Sequence, residues 1–267
     1  MPDVWTAVRD LDEATQERLA DVLEKRGGDA QQQAMRRAFL AEVAFPDGAR
    51  VLDVGCGTGV WTRQLAACPG VASVVGIDPA PTLLEKARSA ALGFPNASFR
   101  EGDGRSLPFE DAAFEVVHCD SLLSHVPGAE GVVEEAFRVL RPDGCLAVFD
   151  GDYATTTVAL DDHDPLQACV DAMMAHSVTD RRVMRRLASV VGACGFRLVS
   201  FRSFGFVELA QDGYMLTIVD RGADILCSQG HIGVETATAL KAEARRRLHA
   251  GCFFGHIAYA GLIARKG

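Results

Sequence analysis

Val51-Leu52-Asp53-Val54-Gly55-Cys56-Gly57-Thr58-Gly59-Val60-Trp61 is the stretch on which the fold turns. A short apolar run enters three glycines at alternating positions and leaves into a helix-forming segment. Glycine is needed where the backbone turns tightly and a ligand must come within contact distance. The spacing is GxGxG, whereas the dinucleotide fingerprint is GxGxxG. The longer turn is the one that cradles a pyrophosphate at a helix N-terminus. A glycine-rich turn alone is weak evidence, so its neighbours have to decide.

Outward from that loop, short Val/Ile/Leu-rich runs at 50–54, 73–77, 114–119 and 144–150 alternate with helix-length segments near 59–67, 81–92 and 129–140. Near-continuous apolar strands alternating with helices predict a parallel sheet covered on both faces. Residues 197–207 and 254–266 read as two further strands. Before the loop, 14–25 and 30–43 read as polar-faced helices, separated by Gly27-Gly28 and stopped by Pro46-Asp47-Gly48. Two stretches exceed what a minimal α/β domain requires: 151–180, after the strand ending at Asp150, and 208–252, between the last two strands. Ligands of open α/β sheets bind beyond the carboxyl ends of the strands. Both extras are therefore expected as a helical cap on a domain spanning 49–267, with residues 1–48 joining the lid.

The chain has 267 residues, a size for one large domain or a domain with an insertion. Its net charge of −9 repels phosphate backbones, so no nucleic-acid partner is expected. The arginine clusters at 181–186 and 245–247 read as solvated helix faces. No run approaches the length of a membrane span, and the first residues go straight into charged positions rather than a signal-peptide core. Eight cysteines show no CxxC and no paired Cys/His spacing, which argues against disulfides or structural zinc. The expectation is a cytoplasmic protein, monomeric or homodimeric, with no membrane partner.

Four companions surround the glycine loop. Val74-Val75-Gly76-Ile77-Asp78 ends in a carboxylate able to accept from both ribose hydroxyls. Phe99 to Phe109 contains Asp103, an acceptor for an adenine amino group. Phe114 to Ser121 and Val139 to Val148 complete the series. Together these segments resemble the class I S-adenosylmethionine-dependent methyltransferases, and within them the type 11 small-molecule group related to ubiquinone and menaquinone methyltransferases. The resemblance covers residues 48–150. It implies a Rossmann-like sheet of seven strands, the last antiparallel, flanked by helices, and S-adenosylmethionine as cofactor with S-adenosylhomocysteine as product. By this resemblance Asp53 helps to hold the methionine ammonium, and Gly55, Cys56 and Gly57 pass the methionine moiety. Asp78, followed by Pro79, takes the ribose, Asp103 with Gly104 the adenine, and Cys119 with Asp120 lies beneath the methionine part. Gly104 stands where the family usually has alanine.

Methyl transfer is a direct displacement, so alignment and water exclusion are the protein's main tasks. A neutral acceptor also calls for a base. His125, in Ser124-His125-Val126-Pro127, follows the fourth strand, and Asp150, in Phe149-Asp150-Gly151-Asp152-Tyr153, closes the fifth. Some sugar and natural-product O-methyltransferases of this group are similar at both points, which implies His125 as general base with Asp150 orienting it or sharing the role. Tyr153 is the reserve candidate. Helix capping or core packing would also explain His125, and a surface turn would explain Asp150. No acidic or histidine cluster suggests a catalytic metal. The expected activity is methylation of an O, N or C atom of a small organic acceptor, such as a natural product, in biosynthesis. Three rivals remain: a nicotinamide oxidoreductase, a macromolecular methyltransferase, and a protein that keeps the cofactor structurally while catalysing a cyclisation or binding a regulator.

Overall fold

Every apolar run named above becomes a strand of a single sheet, and a seventh, β3, joins them. The computed structural model describes residues 3–209 and 213–267. The strands are β1 (Ala49–Val54), β2 (Val71–Asp78), β3 (Ala97–Glu101), β4 (Phe114–Asp120), β5 (Leu140–Thr157), β6 (Phe196–Glu208) and β7 (Gly255–Lys266). Their order across the sheet is β3-β2-β1-β4-β5-β7-β6. β1 to β5 pair in parallel, and β7 runs antiparallel to both of its neighbours. The expectation of a Rossmann-like, seven-stranded sheet with its last strand antiparallel is met. β3 gave no apolar run to read, because this short edge strand is largely exposed.

Alternation along the strands sends side chains to two cores. Val51 faces one side with α2 (Ala30–Leu40) and the helices α6 (Leu166–Ser177), α8 (Tyr214–Ser228) and α9 (Val234–His249). Leu52 faces the other, against α5 (Ala129–Val139) and α7 (Val183–Ala193). α3 (Val60–Ala66) and α4 (Pro81–Ala90) complete the βα connections.

Two departures from the sequence reading have clear causes. α1 (Glu13–Gly28) continues through Gly27-Gly28, and the break falls at Asp29. There the backbone is extended and the carboxylate accepts from the Gln32 amide at 2.8 Å, capping α2. Asp12 caps α1 in the same way, through Thr15. β5 runs seven residues past Asp150, where Gly151 and Asp152 suggested a stop. Tyr153 and Thr155 to Thr157 favour extended backbone, and β7 supplies partners out to the Thr157–His256 pair. Of the expected cap, 151–157 is therefore strand and 166–177 helix. The 208–252 stretch contributes α8 and α9, with 210–212 outside the described residues. α6 and α8 come so close that a Cβ on Gly222 would lie 1.9 Å from the Cys169 carbonyl oxygen.

Residues 3–28 cross the carboxyl ends of the strands. Val8, Leu19 and Ala20 are buried there against Ala80 and Leu83, so α1 is anchored on α4.

Candidate active site

The sheet order reverses between β1 and β4, and ligands of open α/β sheets bind at such a switch point. A cavity of about 370 Å³ lies there. Its floor is the glycine loop. Gly55 and Gly57 have φ of +72° and +52°, in the left-handed region that disfavours side chains. A Cβ on Gly55 would also meet the Leu122 side chain at 2.6 Å. The loop is tied down by the Gly55 and Cys56 amides, both donating to the Ile77 carbonyl at 2.8 and 3.0 Å.

Asp78 closes one end. Its carboxylate accepts from the Gly57 amide and the Ala80 amide, each at 2.9 Å. Burial raises its pKa to about 6, against the lowering effect of those two bonds. Asp103 and Gly104 line the same end, as does Pro79. The Asp103 carboxylate is shared with Arg105, whose guanidinium lies at 2.6 Å and holds the pKa below the usual range. Cys56 lines the wall as a buried thiol whose pKa burial pushes up. Thr58 also lines the cavity, and its buried hydroxyl has no hydrogen-bond partner among the described residues.

Asp120, at the end of β4, lines the opposite end, held by a buried ion pair. Arg36 on α2 donates through Nε at 2.6 Å and Nη2 at 2.8 Å to its two oxygens. Burial works against the carboxylate, but the Arg36 charge outweighs it and the pKa is lowered. The guanidinium is boxed by the rings of Trp61, Phe149 and Tyr259 at 4.6, 4.7 and 5.5 Å. With Asp120 thus matched, Arg26 of α1 reaches into the cavity without an ion-pair partner among the described residues; it donates to the Ser121 hydroxyl. The guanidinium is half-buried, which works against its charge, but it lies within the field of the Asp120 carboxylate among other groups and its pKa is raised; it adds a positive group to the cavity wall.

The lining thus includes eight of the ten residues expected at the cofactor: Gly55, Cys56, Gly57, Asp78, Pro79, Asp103, Gly104 and Asp120. The other two lie below it. The Asp53 carboxylate, expected at the methionine ammonium, is spent in the core, accepting from His118 Nδ1 at 2.8 Å and Thr62 Oγ1 at 2.6 Å. Cys119 is 1% exposed, packed in the core on the α5 side.

His125 lines the cavity beyond Asp120. The expectation that Asp150 orients its ring is corrected: the Asp150 oxygens accept from the Ser124 amide, the Ser124 hydroxyl and the Gly151 amide at 3.0, 2.8 and 2.7 Å. Burial raises the pKa of Asp150. It therefore anchors the turn that carries His125. The carboxylate on the ring is Asp3, 2.7 Å from Nδ1. Tyr153 stacks edge-on against His125 at 5.7 Å, and burial keeps its phenol neutral by raising its pKa. The sequence reading missed Asp3, Trp5, Thr6 and Arg26, which line or adjoin the site from 3–28. Only the fold brings them there, although an arginine on an otherwise polar helix end gave a faint signal.

Residues 51–144 match the methyltransferase domain family. The demethylmenaquinone methyltransferase of Tropheryma whipplei (strain Twist) is 32% identical over 192 residues, covering 65% of this chain and 78% of that protein. A putative methyltransferase from Bacillus halodurans C-125 superposes with a TM-score of 0.61 at 21% identity, covering 86% of this chain and 97% of the other. The [4+2]-cyclase SpnF superposes at 0.56 with 20% identity, covering 90% and 83%, a likeness of fold alone. The chain belongs to the class I S-adenosylmethionine-dependent methyltransferases of the ubiquinone/menaquinone type. It is an enzyme of that family, and no helix among the described residues is long and apolar enough to cross a membrane.

Proposed function

We propose that this enzyme transfers the methyl group of S-adenosylmethionine to an O, N or C atom of a small organic acceptor, with His125 as general base. The observation that carries the reading is the single cavity in which the glycine loop, Asp78, the Asp103 turn and His125 meet. The residues present fit the cofactor: left-handed glycines leave room, Thr58 offers a hydroxyl with no hydrogen-bond partner among the described residues, and Arg26 offers a cation free of any ion pair among them. The bound cofactor supplies an electrophilic methyl group on a sulfonium. Asp78 would accept from the ribose hydroxyls, the Asp103–Gly104 turn would hold the adenine, and Arg26 with Thr58 would take the methionine carboxylate. The Gly55–Gly57 turn lets the methionine end lie against backbone.

His125 takes the acceptor's proton at Nε2, a position-specific step worth on the order of 10²–10⁴ in rate. Asp150 fixes the turn through Ser124, and the neutral Tyr153 walls the ring. Residues 3–28 form the lid that excludes water during transfer; of the expected cap stretches, the described residues of 151–180 and 208–252 do not line the cavity, and their helices pack on the sheet. The net charge favours small acceptors over nucleic acids. A quinol is the first acceptor to test, given the activity named for the Tropheryma relative.

The test is incubation of the full chain with isotopically labelled cofactor and either reduced demethylmenaquinone or a metabolite extract, followed by mass spectrometry. A labelled small molecule formed together with S-adenosylhomocysteine is expected. Conversion of a metabolite without S-adenosylhomocysteine would replace transfer with a reaction in which the cofactor is a structural ligand.

A further inference from the structure

We infer that Asp3 is the positioning residue of His125, so that the base is complete only while the N-terminal segment lies across the cavity. The inference rests on the methyl-transfer reading for the purpose of the base, but its geometry stands alone. Asp3 and His125 are 122 residues apart, and both are buried. Oδ2 of Asp3 lies 2.7 Å from Nδ1 of His125, and it also accepts from the Thr179 amide and hydroxyl at 3.0 and 3.1 Å. Oδ1 accepts from the Trp5 amide at 3.0 Å. The carboxylate is thus fixed by donors from its own segment and from the stretch before α7.

An ionised carboxylate only accepts, so Nδ1 must carry a hydrogen, and in the neutral ring Nε2 then keeps its lone pair. Nε2 has no hydrogen-bond partner among the described residues, while the ring lines the cavity. The ring cannot turn easily. Trp5 packs edge-on at 6.2 Å on one contact and Tyr153 at 5.7 Å on the other. The Thr6 hydroxyl donates to the His125 carbonyl at 2.8 Å, tying the same segment to the backbone of the turn. One short segment therefore covers the cavity, selects the tautomer and clamps the ring. Were it to lift, the imidazole would lose the partner that keeps Nε2 bare.

The experiment uses the full chain labelled with ¹⁵N-histidine at mildly alkaline pH. Long-range proton–nitrogen correlation reads the tautomer of each ring, and His125→Gln assigns the signal. The expected wild-type result is hydrogen on Nδ1 of His125. Asp3→Asn, whose amide can donate or accept, should move a large fraction of the hydrogen to Nε2, and Asp3→Glu should restore part of the original state. Turnover with reduced demethylmenaquinone should fall about ten- to a thousand-fold in Asp3→Asn, within the range assigned to a positioned base. Cofactor affinity should stay within about twofold, since the cofactor contacts lie elsewhere. Thr179→Val removes a tie of the segment while leaving the carboxylate and the Thr179 amide, and should keep the tautomer.

A wild-type His125 with its hydrogen on Nε2, or with both nitrogens protonated at mildly alkaline pH, would overturn the inference. So would a tautomer that ignores Asp3→Asn, or equal losses in Asp3→Asn and Thr179→Val with no tautomer change. Because the tautomer is read without an acceptor, a wild-type enzyme that methylates nothing would count against the transfer reading alone.

Discussion

At the scale of single residues, the site is governed by which charges have partners. Asp78 is buried, and its pKa is raised to about 6. In the proposed assignment ribose hydroxyls would donate to it, so the ionised form would be the one that binds the cofactor. As pH falls through about 6 the carboxyl gains a proton and affinity should decline, while above that range it should be level. Calorimetric titration with S-adenosylhomocysteine across pH checks this; affinity unchanged down to about pH 5 would remove Asp78 from the ribose. Asp78→Ala should weaken binding about ten- to a hundred-fold at neutral pH, the scale of one or two lost charge-assisted bonds. Arg36 presents the opposite case, a cation fully matched by Asp120 and shielded by three rings. Arg36→Met leaves a buried carboxylate uncompensated and should cost about 3–5 kcal/mol in denaturant unfolding. Adding Asp120→Asn to that variant should recover part of the loss. If the double variant is no more stable than the single one, the pairing is not what Arg36 contributes.

Among the elements, those with a repeating pattern were legible in the sequence and those defined by a distant partner were not. The GxGxG loop, the acid ending β2 and the strand–helix alternation are local signals, and with the family resemblance they pointed to ten residues, eight of which line the cavity. The length of β5 was hidden because Gly151 and Asp152 speak for a turn locally, while β7, more than a hundred residues later, supplies the hydrogen bonds that keep the strand going. The partners of Asp53 were hidden for a similar reason: its strand position suited a ligand, while His118 on the neighbouring strand is what it bonds. Asp150 was rightly placed at a strand end, yet its bonds run to the turn rather than the ring. α6 and α8, from the 151–180 and 208–252 stretches, meet at a close approach of Gly222 to the Cys169 carbonyl within a shared apolar core. Gly222→Ala should force α6 and α8 apart and cost about 1–3 kcal/mol, the range for overpacking a tight contact. Thermal unfolding measures it, and an unchanged midpoint would mean that the helix pair yields freely.

For the whole molecule, the cavity joins parts that are otherwise separate: the loop after β1, the ends of β2 and β4, and the segment 3–28, which is anchored through α4. A ligand that touches all of them binds the folded state and not the unfolded chain, so it must raise global stability. At a concentration about 100 times its dissociation constant, the gain is about 2.7 kcal/mol. For a chain of this size that corresponds to a rise of roughly 5–10 °C in the unfolding midpoint. S-adenosylhomocysteine should produce such a rise, and Asp78→Ala should reduce it at the same ligand concentration. NAD shares the ribose and adenine but needs a pyrophosphate cradle, and the GxGxG turn is the shorter one. It should therefore leave the midpoint almost unmoved. Equal shifts from both ligands would mean that the cavity reads only adenosine, and that the methionine end, with Arg26 and Thr58, adds nothing to recognition. A shift from S-adenosylhomocysteine that vanishes in Arg26→Met but survives with adenosine would locate the selectivity at Arg26 in the cavity wall.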